Sequence, residues 1–138
     1  YYQKIKAHAA HLELPNPIMR IRERYNAAFN VVYAMASVVA YPSRYECASM
    51  PIMRCLSCGT PVVAATGSCM EEYGGDAALY FNPDSADELA DAISRAMGSE
   101  REALLAAAKV QNEKFTSLRL ATQLRELYRE LRSNKKHQ

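Results

Sequence analysis

Apolar positions change period several times along the chain, and each change marks an element. Tyr2, Ile5, Ala9 and Leu12 recur at helical spacing, so residues 1–13 read as an amphipathic helix stopped by Pro15 and Pro17. Ile18–Arg22 then alternates, which predicts a strand. Tyr25, Phe29, Val32 and Ala36 form the stripe of a second helix, and the β-branched pair Val38 and Val39 opens the next strand, ending at Tyr41. Met50–Cys58 is predicted as a short helix, with Pro51 suited to its first turn and Gly59 to its C-terminal cap. Val62–Ala65 is a buried strand, Thr66–Gly75 a glycine-containing loop, and Ala77–Phe81 another strand. Ser85 followed by Glu88 has capping-box spacing and opens a helix bearing Leu89, Ile93 and Met97, which Gly98 ends. Two further helices, Glu100–Phe115 and Ser117–Ser133, complete the pattern, and Leu120, Leu124, Leu127 and Leu131 form a seam along the last.

Strands alternating with helices predict an α/β fold: a Rossmann-like parallel sheet flanked by helices, with parallel strands at Ile18, Val38, Val62 and Leu79. One domain is expected over residues 1–133, with 134–138 as a disordered tail. An edge of such a sheet and the leucine seam are both surfaces through which a homodimer could form.

Composition narrows the functional classes. The 138 residues are 49% apolar and 23% charged, as in an ordinary globular protein. No apolar run reaches the roughly 18 residues of a membrane span, and no leader pattern opens the chain, so a cytoplasmic location is expected. Charge is unevenly spread: residues 1–58 carry seven Lys/Arg against three acids, 59–116 four against ten, and 117–138 six against two. That pattern fits an anionic ligand near the first segment or simply solvated helix faces. With three Phe, no Trp and no basic stripe, nucleic acid is not an expected partner.

The densest candidate chemistry lies between the second and third predicted strands, in Pro42-Ser43-Arg44-Tyr45-Glu46-Cys47-Ala48-Ser49-Met50-Pro51-Ile52-Met53-Arg54 and on to Gly59-Thr60-Pro61-Val62-Val63-Ala64. A loop between a parallel strand and the following helix lies at the C-terminal sheet edge, where α/β proteins bind ligands. This stretch resembles the donor-binding, C-terminal half of family 4 retaining glycosyltransferases of the GT-B fold (glycosyltransferase group 1). There the same place usually reads Pro-Ser-x-x-Glu-Gly-Phe-Gly-x-Pro-x-x-Glu-Ala-x-x-x-Gly-x-Pro-Val. Asp76-Ala77-Ala78-Leu79-Tyr80-Phe81 and Asp87-Glu88-Leu89-Ala90-Asp91-Ala92-Ile93 extend the likeness over nearly all of the chain.

The resemblance implies a partial C-terminal GT-B domain that begins after the family's first strands and lacks the N-terminal acceptor domain. The full-length parent would be a hexosyltransferase that moves a sugar from a nucleoside diphosphate sugar with retention of configuration, without an obligate metal or other cofactor. It would be cytoplasmic or peripheral at the inner face of the membrane. The donor-binding residues carried over are Ser43, Glu46, Ser49, Met50, Pro51 and Arg54. Backbone N–H groups at the start of the Met50 helix would cradle the diphosphate. Glu46 stands where the family's first glutamate meets the donor sugar; the alternative is a solvated loop carboxylate.

Arg54 occupies the place of the glutamate that grips the ribose, and a guanidinium donates where a carboxylate accepts. Cys47 and Ser49 replace two glycines that let the backbone approach the sugar. The expectation is therefore a weakened or lost donor site, with no catalytic residues in this chain alone; the alternative is a non-catalytic scaffold or assembly module on the same fold. Either Arg54 has cost the site its ribose contact, or it clamps a phosphate. Glu71 and Glu72 are candidates of lower rank, structural or near the cleft. Cys47, Cys55, Cys58 and Cys69 include a Cys-x2-Cys pair that invites zinc, yet its position inside a helix favours small buried thiols, and no metal is expected. His8 and His11 could clip a metal at i, i+3 but read better as solvated helix residues.

Overall fold

The computed structural model of the chain describes residues 2–14, 18, 21 and 26–134. In order its elements are α1 (Tyr2–His11), α2 (Asn26–Met35), β1 (Val39–Tyr41), α3 (Met50–Cys58), β2 (Val62–Ala65) and α4 (Met70–Gly74). A single 3-10 turn (Gly75–Ala77), β3 (Ala78–Phe81), α5 (Ala86–Met97), α6 (Arg101–Lys114) and α7 (Ser117–Asn134) follow.

The sheet is parallel, in the order β1-β2-β3, with Val39 opposite Val62 and Val62 opposite Ala78. Every side chain of β2 is buried, which is why its Val-Val-Ala-Ala run shows no polar alternation. Val62 and Ala64 join Ile52, Cys55 and Leu56 of α3, Met70 of α4 and Ala108 of α6 in one core layer. Val63 and Ala65 face the other way, onto Ala92 and Ala96 of α5, Phe81 of β3 and Leu104 of α6. Helices therefore cover both faces, and α6 reaches both layers. Burying Ile52 completely, as here, contributes about 1.5–3 kcal/mol by area removed from water.

Local chemistry sets the element ends. Gly59 closes α3 at φ 71°, a left-handed conformation cheap only for glycine, and its N–H reaches Leu56 O at 3.2 Å. Ser85 caps α5 by accepting from the Glu88 N–H at 3.2 Å. The Glu88 carboxylate, however, accepts from the Asn82 N–H at 2.8 Å, so the expected capping box is half made.

Several expectations need correction. Three parallel strands stand among the described residues; of the strand expected over Ile18–Arg22, residues 19, 20 and 22 lie outside them, and neither Ile18 nor Ile21 is in a strand. The Thr66–Gly75 loop contains the helix α4, because Met70 is drawn into the core and Glu71 fastens the loop before it. Ala77 ends the 3-10 turn instead of starting β3. Asn134, expected in a disordered tail, is the last residue of α7, and 135–138 lie outside the described residues. The leucine seam, expected to pack on this domain or on a second copy, is largely uncovered by this domain: Leu120, Leu124, Leu127 and Leu131 are 59%, 42%, 48% and 53% exposed.

Candidate functional site

The loops that leave β1, β2 and β3 meet at the C-terminal edge of the sheet, and polar contacts tie them together. Ser68 after β2 bonds Glu46 after β1, and the Arg44 guanidinium after β1 pairs with Asp84 after β3. The Arg44–Asp84 pair, which spans the loops after the two outer strands, is mostly exposed and contributes little stability.

Glu46 sits in the middle of this rim. Its Oε1 accepts from the Tyr41 hydroxyl at 2.5 Å and from the Ser43 hydroxyl at 3.0 Å, while Oε2 has no partner among the described residues. These two donors hold the Glu46 carboxyl below the usual carboxylate range, Tyr41 more than Ser43. Tyr41 moves the opposite way: burial first, then the bond to the Glu46 carboxylate, pushes its phenol far up, so its proton stays on the tyrosine. Glu46 is thus an ionised acceptor with one oxygen engaged and one open.

Beyond Glu46 the chain turns into α3. Ser49 is fully buried at the N-cap position, but its hydroxyl makes no capping bond and has no partner among the described residues. Pro51 lies in the first turn, where its missing N–H costs nothing. A fully buried hydroxyl without a partner, at a helix start that lacks a side-chain cap, carries a desolvation cost that nothing among the described residues offsets.

Met50 and Arg54, one turn apart on α3, line a groove of about 820 Å³ with Asn30 of α2, Met53, Ser57 and Phe115. Arg54 has no ion pair or hydrogen bond among the described residues, though its charge is felt at the Tyr33 phenol, whose pKa is raised overall by burial. The structure therefore joins Ser43 to Glu46 directly, places Ser49 and Pro51 at the adjacent helix start, and sets Met50 and Arg54 along a groove that Ser43, Glu46, Ser49 and Pro51 do not line. Glu46 and Arg54 form no ion pair with each other.

Two contributors escaped the reading of the sequence, Tyr41 and Ser68. Tyr41 was visible only as the last residue of an apolar strand, although a hydroxyl immediately before Pro42-Ser43 was a usable signal. Ser68 lay in a loop noted for Glu71 and Glu72. There, Glu71 Oε1 accepts from the Gly67 N–H at 2.8 Å, a structural task, and the Glu72 carbonyl accepts from Gln111 Nε2 at 2.8 Å. Of the four cysteines only Cys55 is buried, and Cys47 is exposed, so the expectation of buried thiols holds for one of them. No cluster of His, Cys, Asp and Glu able to hold a metal stands among the described residues. His8 and His11 are both exposed on α1.

Comparison with known proteins adds family context to this geometry. The family described as "Glycosyl transferases group 1" matches residues 3–99. The O-antigen chain mannosyltransferase B of Escherichia coli is 32% identical over 100 residues, covering 71% of this chain and 26% of that protein. The sucrose-phosphate synthase of Thermosynechococcus elongatus superposes with a TM-score of 0.73 at 26% identity, over 96% of this chain and 34% of its own. Anabaena HepE, solved in complex with UDP-glucose, superposes with a TM-score of 0.77 at 21% identity, over 94% of this chain and 37% of its own. The chain thus spans about a quarter of the length of the curated relative and about a third of the solved structures.

Proposed function

The chain belongs to the group 1 glycosyltransferases, and from that premise we propose that its sheet edge is a donor site for a nucleoside diphosphate sugar. The observation that carries the reading is the start of α3: an N-terminus without a side-chain cap, at the C-terminal edge of a parallel sheet, with the orphaned Ser49 hydroxyl buried beside it. Of the N–H groups in the first turn, that of Met50 goes to Ala48 O at 3.1 Å and Pro51 has none, so the N–H of Ile52 and the helix dipole are what favour a phosphate there. The turn Ser49-Met50-Pro51-Ile52 takes the diphosphate, and Ser43 and Glu46 take the sugar, Glu46 through its open carboxylate oxygen. Arg54 projects along the same helix without an anionic partner, which supports a phosphate clamp over a lost ribose contact. In a protein of its relatives' full length the sugar would be passed on with retention of configuration. Transfer needs an acceptor held against the donor in one cleft, so the chain by itself binds and does not turn over.

Calorimetry with UDP and UDP-glucose, on the wild type and Arg54→Glu, tests this. Binding that weakens about tenfold or more in the variant supports the clamp, since a hydrogen bond to a charged group contributes about 1.5–3 kcal/mol. Tightening would instead make position 54 a ribose site that arginine had impaired. Equal, negligible affinities in both would end the donor reading.

One observation favours a second role in assembly. Leu120, Leu124, Leu127, Tyr128 and Leu131 leave α7 with an exposed apolar face, which at about 25 cal/mol per Å² favours burial. A second copy of the chain packing through α7 would bury it. Sedimentation velocity across a hundredfold concentration range shows a dimer if this holds and a constant monomer if it does not. No helix among the described residues is long and apolar enough to cross a membrane.

A further inference from the structure

We propose that Ser68 and Tyr41 are positioning residues for Glu46, fixing its backbone and one carboxylate oxygen so that Oε2 alone is offered to a hydroxyl of the donor sugar. This rests on the reading of Glu46 as a sugar contact and adds how that contact is made selective.

The backbone is fixed first. Ser68 stands 22 residues from Glu46 in sequence, on the neighbouring loop, and its single hydroxyl serves both main-chain groups of Glu46. It accepts from the Glu46 N–H at 2.8 Å and donates to the Glu46 carbonyl at 2.5 Å. One side chain that holds both the N–H and the C=O of one residue leaves that residue little freedom to turn. The arrangement is held against a local penalty, because Ser68 has φ 64°, a left-handed conformation in which its Cβ is crowded. Gly67 beside it has φ 91° and suits such a turn, so glycine would also be the less strained residue at position 68. Serine costs strain there and supplies a hydroxyl, and the hydroxyl goes to Glu46.

The carboxylate is fixed second. Tyr41, at the end of β1, has a half-buried ring and donates to Oε1 at 2.5 Å, with Ser43 adding a second donor at 3.0 Å. Two donors on one oxygen hold the rotamer of Glu46 and leave its other oxygen without a partner among the described residues. A carboxylate that already has its orientation does not lose side-chain freedom on binding, so more of the new hydrogen bond appears as affinity. Only ligands that place a hydroxyl at the position of Oε2 gain from it; the nucleoside diphosphate alone does not.

The test compares wild type, Ser68→Gly, Tyr41→Phe and Glu46→Gln in three measurements. These are calorimetric affinity for UDP-glucose and for UDP, the titration of the Glu46 carboxyl by carbon-13 NMR, and the urea midpoint. Ser68→Gly is expected to keep or raise the urea midpoint, since it relieves the left-handed strain. The same variant should bind UDP-glucose about tenfold more weakly while its affinity for UDP is unchanged. Tyr41→Phe should move the Glu46 titration upward toward an ordinary glutamate. A merely structural Ser68 would lose stability and both affinities together, which overturns the proposal. If Glu46→Gln weakens UDP-glucose binding and Ser68→Gly does not, the positioning role is wrong and the donor reading stands. If Glu46→Gln leaves UDP-glucose affinity unchanged, the sugar contact is wrong, and with it the proposal that Oε2 is presented to a sugar.

Discussion

Removing the Ser49 hydroxyl should make the protein more stable and the site worse. A hydroxyl buried without a partner carries a desolvation cost of about 1–3 kcal/mol, and Ser49 fits that description: fully buried, no capping bond, no other partner among the described residues. Ser49→Ala deletes the cost and keeps the Cβ. The void left by one oxygen returns part of the gain, so a net stabilisation of about 1 kcal/mol is expected. For a domain of this size that raises the melting temperature by about 4 °C. Urea unfolding measures it as a higher midpoint at unchanged slope. In the same variant the affinity for UDP should fall about tenfold, because the hydroxyl is then missing as a donor to phosphate. A loss of 1 kcal/mol or more in Ser49→Ala would refute the reasoning, since it would mean that the hydroxyl has a partner in solution.

Three further outcomes follow from the packing. Ile52→Ala empties a fully buried position in the layer between α3 and β2 and should cost about 2–5 kcal/mol by urea unfolding; a loss below 1 kcal/mol would mean the layer collapses around it. Gly75→Ala places a Cβ 2.8 Å from Gln111 Oε1 and at φ 50°, so a loss of about 1–3 kcal/mol is expected, with Gln111→Ala in the same background relieving the clash but not the strain. Burial pushes the Cys55 thiol and the Tyr80 phenol each up to about 12. Because both pKa values are raised by folding, their contribution is full below the ordinary values and is lost as pH climbs toward 12. The urea midpoint should therefore hold to about pH 8.5 and then decline; an unchanged midpoint at pH 11 would contradict the burial.

How much of this was legible in the residues differs from element to element. The second to fourth expected strands were readable because apolar runs bounded by Gly, Pro and Asn leave few alternatives, and β2 sits where expected. The start and cap of α3 were equally plain, since Pro51 and Gly59 act through their own backbone chemistry. α4 was hidden because a five-residue helix has too few turns to show a period, and its inward face is revealed by the burial of Met70 and Gly74. The candidate site divided in the same way. Glu46 stood out through a local pattern, whereas Ser68 acts across two loops, and a contact over 22 residues leaves no trace in spacing. The fate of the α7 seam was also beyond the sequence, because a stripe of leucines states that a face is apolar and not what it meets.

The order β1-β2-β3 also bears on how the chain reaches this structure. Val39 finds Val62, and Val62 finds Ala78, only after whole helical crossovers have been closed, so no pair of adjacent strands can form by a simple turn. Loop-closure entropy must be met before either pairing is rewarded, which slows such topologies. β2 takes part in both pairings and lies in both core layers, so it is the segment on which the two halves of the sheet condense. Until it is covered, Val62–Ala65 is a short, uncharged, β-prone run open on both faces, and the interval before α3 and α5 close over it is when this chain is most exposed to aggregation.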